Sequence, residues 1–132
     1  MKVSIAYIEE PPFGWTEAEG TATGADLELA AMILRQIGVT RIEYCATTFS
    51  ELLPGVASGH WDMNVPLFVT PQRADTVAFS APVWGIEDGF LVRPGNPKAL
   101  TSYASIAQRP DARLGIIAGQ VQHDSAMASG VS

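Results

Sequence analysis

Residues 67–82 have the sequence LFVTPQRADTVAFSAP, in which an apolar run ends at Thr70 and Pro71 and is closely followed by Arg73. Thr70 is a favoured helix N-cap, and Pro71 suits the first helical position because its missing N–H needs no partner there. Arg73 is then predicted to lie in the first turn of a helix, where the helix dipole disfavours a cation. A cation beside unpaired N–H groups is typical of a site for a carboxylate or phosphate. A solvated surface arginine is the alternative that this local pattern leaves open.

The composition of the chain is that of an ordinary globular domain. It has 132 residues, 47% of them hydrophobic, and a formal net charge of −6. The acidic balance and the lack of a Lys/Arg cluster argue against nucleic acid as a partner, because nothing would neutralise the phosphates. Cys45 is the single cysteine and cannot form an internal disulfide, and His60 and His123 do not have the spacing of zinc ligands. Neither a metal nor another cofactor is therefore expected.

The start of the chain gives two possible locations. No apolar run approaches the roughly 20 residues of a membrane helix. Met1 and Lys2 lead directly into a predicted strand and not into a signal peptide. Either the protein is cytoplasmic, or it works outside the cytoplasm after removal of an export signal.

Strands and helices are predicted to alternate along the chain. Alternating apolar positions, β-branched residues and flanking turns predict strands at residues 2–8, 41–46, 61–69, 87–93 and 112–119. Helical periodicity and capping residues predict helices at residues 25–38, from Thr48 to about Gly59, at residues 70–73 and from about Val121. Thr48 and Glu51 form a capping-box pattern. The alternation predicts an α/β fold with a mainly parallel sheet covered by helices.

Four segments that follow predicted strands are expected to meet at one edge of this sheet. Ligands of such sheets bind at the carboxyl ends of the strands. The four segments are residues 9–15, Phe49, residues 66–73 and residues 118–122. None of them contains a glycine-rich phosphate loop, a Ser-His-Asp set or a Cys-His pair.

The order of these segments resembles a known family. The stretches EEPPFGW (9–15), GADLELAAMILRQIG (24–38), FSELLPGVASGHWD (49–62), VTPQRADTVAFSAP (69–82) and LGIIAGQ (114–120) are similar to those of type II solute-binding proteins of ABC importers, in the amino-acid-binding group. The most specific pieces are TPQRA followed by FSAP, and SGHWD before a strand. The resemblance implies two α/β lobes joined by a hinge that close on a small solute. Residues 1–92 would form the first lobe, and residues 93–132 the hinge and an incomplete second lobe.

The resemblance also implies roles for individual residues. In this family the arginine at the position of Arg73 binds the carboxylate of the ligand, and backbone groups near Thr70 help to hold it. The other ligand-binding positions that the resemblance implies are the aromatic residues Phe13 and Phe49 and, in the second lobe, Gly119 and Gln120.

Phe68 departs from the pattern, because typical amino-acid binders carry a small hydroxyl residue at this position. Its phenyl ring, together with Phe13, Phe49 and Trp15, is expected to form an aromatic cage for a cation. Glu10 would then face the cationic nitrogen of the ligand. This arrangement is similar to that of compatible-solute binders for ectoine and betaine-like molecules. For Phe49 and Phe68, a place in the hydrophobic core is the alternative.

The predicted function is the capture of a small zwitterion, either an amino acid or an ectoine-like or betaine-like solute, in the periplasm or elsewhere outside the cytoplasm for an ABC permease. Two alternatives share the fold: an enzyme similar to cyclohexadienyl dehydratases, with Glu10 as its candidate acid, and a sensory ligand-binding domain. Because the resemblance stops within the second lobe, the sequence also predicts either a marginally stable fragment or a homodimer in which two incomplete lobes complete each other by swapping.

Overall fold

The computed structural model describes residues 1–132 and divides them into two compact units, Met1–Pro82 (unit 1) and Val83–Ser132 (unit 2). The strands of unit 1 are β1 (Lys2–Tyr7), β2 (Trp15–Thr16), β3 (Ala22–Thr23), β4 (Arg41–Ala46) and β5 (Met63–Asn64). Its helices are α1 (Ala25–Gln36), α2 (Phe49–Ala57) and α3 (Pro71–Ala74). Unit 2 contains the helices α4 (Tyr103–Ala107) and α5 (Val121–Ala128). No helix in the chain is both long enough and apolar enough to span a membrane.

The main sheet of unit 1 has three parallel strands in the order β4-β1-β5. Ile5 of β1 lies beside Tyr44 of β4 and Met63 of β5. Since all three strands run in the same direction, the loops that follow them leave the sheet at the same edge. The predicted α/β fold with a parallel sheet and covering helices is confirmed.

Strand β1 is buried on both faces of the sheet. One face carries the cluster Ile5, Tyr7, Leu27 and Ala30. The opposite face carries the cluster Ala6, Leu52 and Trp61. Successive side chains of a strand point to opposite faces, so β1 contributes alternately to the two clusters. Burial of each large apolar side chain stabilises the fold by about 1.5–3 kcal/mol.

A close approach at Gly55 holds Trp61 against α2. The indole N–H of Trp61 donates a hydrogen bond to the carbonyl of Leu52 over 3.0 Å. A Cβ atom on Gly55 would overlap the indole ring. We therefore expect Gly55→Ala to lower the free energy of unfolding by about 1–3 kcal/mol, as overpacking of a core does. Urea unfolding followed by circular dichroism measures this loss.

The control for this prediction is Gly85→Ala, because a Cβ atom at Gly85 meets nothing within 4 Å. This variant should unfold at the urea concentration of the parent chain. A loss in Gly55→Ala no larger than that in the control would show that the indole ring moves aside at no cost, contrary to our expectation.

Two predictions for unit 1 are wrong in detail. The strand predicted at residues 61–69 pairs only at Met63–Asn64, because Pro66 has no N–H with which to continue the ladder. Thr48 is the N-cap of α2, but its side chain caps no backbone N–H, since its hydroxyl is hydrogen-bonded to that of Ser50 over 3.1 Å. The capping box therefore does not form. The predicted strand at residues 41–46 and the helix that starts at Ala25 are confirmed.

Unit 2 contains helices but no paired strand. The strands predicted at residues 87–93 and 112–119 are not formed, and Leu91 is fully exposed. A strand is held by hydrogen bonds to a neighbouring strand, and an alternating apolar pattern cannot supply that neighbour. The helix predicted from Val121 is confirmed as α5. The predicted lobe boundary, after residue 92, stays a prediction and falls inside unit 2.

Candidate functional site

Three loops leave the sheet of unit 1 at the carboxyl ends of β1, β4 and β5, the edge at which parallel sheets bind ligands. They comprise residues 8–14, 47–48 and 65–70. The predicted ligand-binding residues of this unit lie in these loops or in the element that directly follows: Glu10, Phe13, Trp15, Phe49, Phe68, Thr70 and Arg73.

Arg73 lies in the single turn of α3 and is half-buried. The Thr70 hydroxyl accepts a hydrogen bond from the Arg73 N–H over 3.2 Å, so the predicted cap at this residue is confirmed. Nη1 of Arg73 donates a hydrogen bond to the carbonyl of Phe68 over 2.9 Å. Cζ of Arg73 also lies 5.8 Å from the centroid of the Phe49 ring, within the range of a cation–π contact. The backbone and the guanidinium of this residue are therefore each held by neighbours.

Phe68 contributes to this arrangement through its main chain. Its carbonyl accepts the hydrogen bond from Arg73, while its side chain is 43% exposed. The alternative of a core position for Phe68 is therefore wrong. Its membership of an aromatic cage stays a prediction.

Phe49 connects the hydrophobic core to the site. It is the first residue of α2 and packs against the cluster Ala6, Leu52 and Trp61. Its ring also carries the contact with Arg73. The core interpretation of this residue is therefore supported by its packing, and its predicted role in ligand binding stays a prediction.

The loop that carries Phe13 is fastened to the N-terminus of α1. The N–H groups of Ala25 and Asp26 donate hydrogen bonds to the carbonyls of Pro12 and Phe13 over 2.9 and 3.0 Å. These are two of the N–H groups that a helix start leaves without an intrahelical partner. Gly24 allows the close approach, because a Cβ atom there would overlap the Phe13 carbonyl. The loop therefore has a rigid base on α1.

The same loop holds Glu9 and Glu10 in different environments. The N–H and the hydroxyl of Thr16 donate hydrogen bonds to the Glu9 carboxylate, the shortest over 2.6 Å, and these bonds lower the pKa of Glu9. Burial, and then the nearby charge of Asp26, raise the pKa of Glu10. The Glu9 carboxylate is thus hydrogen-bonded within its own loop. Glu10 is a partly buried carboxyl, and its pKa is shifted by burial and charge and not by a hydrogen bond. The difference supports the preference for Glu10 as the functional residue.

Asp26 affects Glu10, although the sequence pattern did not predict this. Acidic residues are common in the first turn of a helix, so its position there is not distinctive. In the structure it is 8% exposed, and its charge acts on Glu10. The available indication was its position two residues after Gly24, at the helix start to which the loop is fastened.

The predicted residues of the second lobe lie in unit 2. Gly119 has a positive φ of 82°, and Gln120 is the N-cap of α5. Gln120 lines an open cavity of about 270 Å³ that also includes Phe90, Tyr103 and Gln122. The Gln122 side-chain amide donates a hydrogen bond to Asp88 over 2.9 Å. The contacts described above thus join Arg73 to three of its predicted neighbours within unit 1, and Gly119 and Gln120 are described within unit 2 alone.

Comparison with known proteins shows the family. Residues 3–128 match the bacterial extracellular solute-binding proteins, family 3. The chain belongs to this family. The resemblance of the sequence to solute-binding proteins of ABC importers is thereby confirmed.

Individual members of the solute-binding family are similar over almost the whole chain. A probable amino-acid ABC transporter periplasmic-binding protein of Sinorhizobium fredii is 31% identical over 98% of this chain, which spans 43% of that protein. The crystal structure of EhuB in complex with hydroxyectoine is also 31% identical, with a TM-score of 0.85 over 99% of this chain and 51% of EhuB.

A second solved structure of the solute-binding type supports the fold alone. It is the ancestral amino acid-binding protein AncCDT-1, a precursor of cyclohexadienyl dehydratase, with 24% identity and a TM-score of 0.85. The match covers 98% of this chain and 57% of AncCDT-1. The type II periplasmic-binding fold predicted from the sequence is confirmed by these likenesses. The chain spans about half the length of the relatives that it matches.

Proposed function

We propose that this chain acts outside the cytoplasm as a solute-binding protein that captures a small zwitterion and delivers it to an ABC permease. The solute is an amino acid or an ectoine-like or betaine-like molecule. The observation that carries the proposal is the way in which Thr70, Phe68 and Phe49 hold Arg73 at the ligand edge of the sheet.

Arg73 is assigned to the carboxylate of the solute. A guanidinium binds a carboxylate through two parallel hydrogen bonds, and these charge-assisted bonds are stronger than neutral ones. The planar group must be correctly oriented for both bonds to form. Its contacts with the carbonyl of Phe68 and the ring of Phe49 supply that orientation before a ligand arrives.

The positive end of the solute is assigned to the loop after β1. Phe13 and Trp15 offer aromatic surfaces, which attract cations, and Glu10 offers a carboxylate that is partly withdrawn from water. Phe68 is assigned to the same group through its exposed ring. Gly119 and Gln120, which lie at the start of α5 in unit 2, are also proposed to bind the solute.

Two relatives support this solute class. The Sinorhizobium fredii protein is named as a probable binding protein of an amino-acid ABC transporter. The EhuB structure contains hydroxyectoine. Amino acids and hydroxyectoine both combine a carboxylate with a cationic nitrogen, which is the pair of groups that Arg73 and Glu10 are proposed to bind.

Native mass spectrometry of the purified chain, titrated with ectoine, glycine betaine, L-glutamine and L-arginine, tests the proposal. We expect one of these solutes to remain bound at a single equivalent per chain and to identify the solute class by its mass. Absence of binding for every solute, at concentrations up to the millimolar range, would contradict the proposed function of this chain.

The same spectra test the predicted homodimer. Unit 2 exposes several large apolar side chains, which association with a second copy would cover. They are Val83, Trp84, Ile86, Leu91, Ile116, Ile117 and Met127. We propose that two copies associate through unit 2, and a spectrum that contains only monomers at micromolar concentration would contradict this.

We expect the affinity for a cation-bearing solute to fall in mildly acidic solution. The carboxylate of Glu10 attracts the cation only when it is ionised, and its pKa is raised above 4.5 by burial and by the charge of Asp26. Protonation, and with it the loss of affinity, therefore begins at a higher pH than for an ordinary glutamate. Titration calorimetry between pH 4.5 and pH 8, using the solute found by mass spectrometry, measures this dependence.

Two neighbouring variants separate Glu10 from other acidic groups. Glu10→Gln should bind more weakly at pH 8 and lose the dependence at the acidic end. Glu9→Gln should keep the dependence, because hydrogen bonds from Thr16 lower the pKa of Glu9 and it titrates at lower pH. An unchanged pH profile in Glu10→Gln would remove Glu10 from the cationic end of the site.

A second candidate function is catalysis on the same fold, which the environment of Glu10 favours. General acid catalysis requires a carboxyl with a raised pKa near the leaving group of the substrate. The pKa of Glu10 is raised by burial and by Asp26. Turnover of prephenate or arogenate by the parent chain, abolished in Glu10→Gln, would support this candidate. Binding without turnover would leave the solute-binding function.

A further inference from the structure

The ring of Phe49 lies between the hydrophobic core and the guanidinium of Arg73. On the core side it packs against Ala6, Leu52 and Trp61, of which Ala6 and Leu52 are fully buried. On the other side Cζ of Arg73 lies 5.8 Å from the ring centroid. The ring is therefore a fixed platform, and a cation of the protein itself lies over it.

We infer that Phe49 is a positioning residue for Arg73, and that its ring sets the orientation in which the guanidinium meets the ligand carboxylate. This inference rests on the proposed function, in which Arg73 binds that carboxylate. It adds a role that Phe49 performs in the ligand-free protein, before any contact with a solute is made.

The need for such a platform follows from the weak anchoring of α3. This helix has only four residues, and none of them is buried. Its position alone cannot hold the long side chain of Arg73, which loses rotamer entropy when it is fixed. The bond from the Arg73 N–H to Thr70 fixes the backbone but not the guanidinium.

Two of the contacts of the guanidinium bear directly on its orientation. The hydrogen bond to the Phe68 carbonyl holds one nitrogen, Nη1. The contact with the Phe49 ring restricts rotation of the guanidinium plane about that bond. The ring is held by the core. The orientation of the guanidinium therefore depends on the packing of α2 against β1.

The expected effect on binding is moderate and specific to the aromatic face. Phe49→Leu keeps an apolar side chain against the core but removes the ring, and should weaken ectoine binding by about threefold to thirtyfold, the range of a cation–π contact. Phe49→Tyr keeps the ring and should restore the parent affinity to within about twofold. Phe79→Leu is the matched control, because it makes the same substitution at a half-buried phenylalanine of unit 1 that is not assigned to the ligand.

A spectroscopic measurement separates positioning from direct contact with the ligand. In ligand-free protein labelled with ¹⁵N-arginine, NMR relaxation of the Nε–H group measures how far the motion of the Arg73 side chain is restricted. The Arg73 signal among the six arginines is the one that is absent in Arg73→Lys. We expect a high Nε–H order parameter in the parent chain, Phe49→Tyr and Phe79→Leu, and a lower one in Phe49→Leu.

The outcomes distinguish this inference from the proposed function. A lower Arg73 order parameter together with weaker ectoine binding in Phe49→Leu supports the positioning role. Weaker binding with an unchanged order parameter would overturn it and make Phe49 a ligand contact, and a lower order parameter with unchanged affinity would also overturn it. If the parent chain binds no solute, the proposed function fails, and a low Arg73 order parameter in the ligand-free parent chain would separately overturn the positioning of Arg73 by Phe49.

Discussion

Arg73→Ala is expected to lose more than about 100-fold in affinity for the solute, equivalent to about 3 kcal/mol or more. The loss is large because the ligand carboxylate would be withdrawn from water without its charged partner. The structure supports this assignment through the hydrogen bond from Arg73 to the Phe68 carbonyl and the contact with the Phe49 ring. Titration calorimetry of the two chains measures the difference.

Arg73→Lys is the matched control for charge. Lysine keeps the positive charge but lacks the planar pair of donors, so we expect an affinity between those of the parent chain and Arg73→Ala. Neither substitution should unfold unit 1, because α3 contains no buried residue. Affinities within about twofold of each other in all three chains would remove Arg73 from the binding site.

Gly24→Ala is expected to have the largest effect on stability. Gly24 has a φ of 126°, a conformation that alanine adopts only under strain. A Cβ atom there would overlap the Phe13 carbonyl and lie 2.7 Å from Cα of Gly14. Strain and overlap together should lower the free energy of unfolding by about 3 kcal/mol, or push the Phe13 loop away from α1 and weaken solute binding. Urea unfolding and titration calorimetry measure both effects.

Gly20→Ala separates strain from overlap. Gly20 also has a positive φ, 88°, but a Cβ atom on it meets nothing within 4 Å. This variant should therefore lose only about 1–2 kcal/mol and keep its affinity. Equal losses of stability in the two variants, with unchanged affinity in both, would show that the approach of Gly24 to the loop does not matter.

The elements that sequence patterns predicted correctly are those that depend on residues close together in the sequence. The strand at residues 41–46 has the bounds that its apolar alternation indicated. Thr70 caps α3 because the side chain and the N–H that it binds are three residues apart. The loops that carry the predicted site residues of unit 1 lie at one edge of the sheet, because that depends only on the direction of the strands.

The elements that did not form, and the contacts that were not predicted, depend on the surrounding fold. Residues 87–93 were predicted as an apolar strand, but no neighbouring strand lies beside them in unit 2. The contact of the Phe68 carbonyl with Arg73 could not be predicted because every residue has a carbonyl, and the role predicted for the Phe68 ring stays a prediction. The influence of Asp26 on Glu10 was not predicted, because it depends on burial and proximity in the fold, which the position of Asp26 near Gly24 indicates only in part.

The most direct test of the central claim, that Arg73 binds the carboxylate of a zwitterion, is a comparison of two ligands on the parent chain. Titration calorimetry with ectoine and with its primary carboxamide, and likewise with L-glutamine and its α-carboxamide, changes only the group that Arg73 is proposed to hold. We expect the carboxamide of the bound solute to lose about 100-fold in affinity or more. Equal affinity for the carboxylate and its carboxamide would contradict the account.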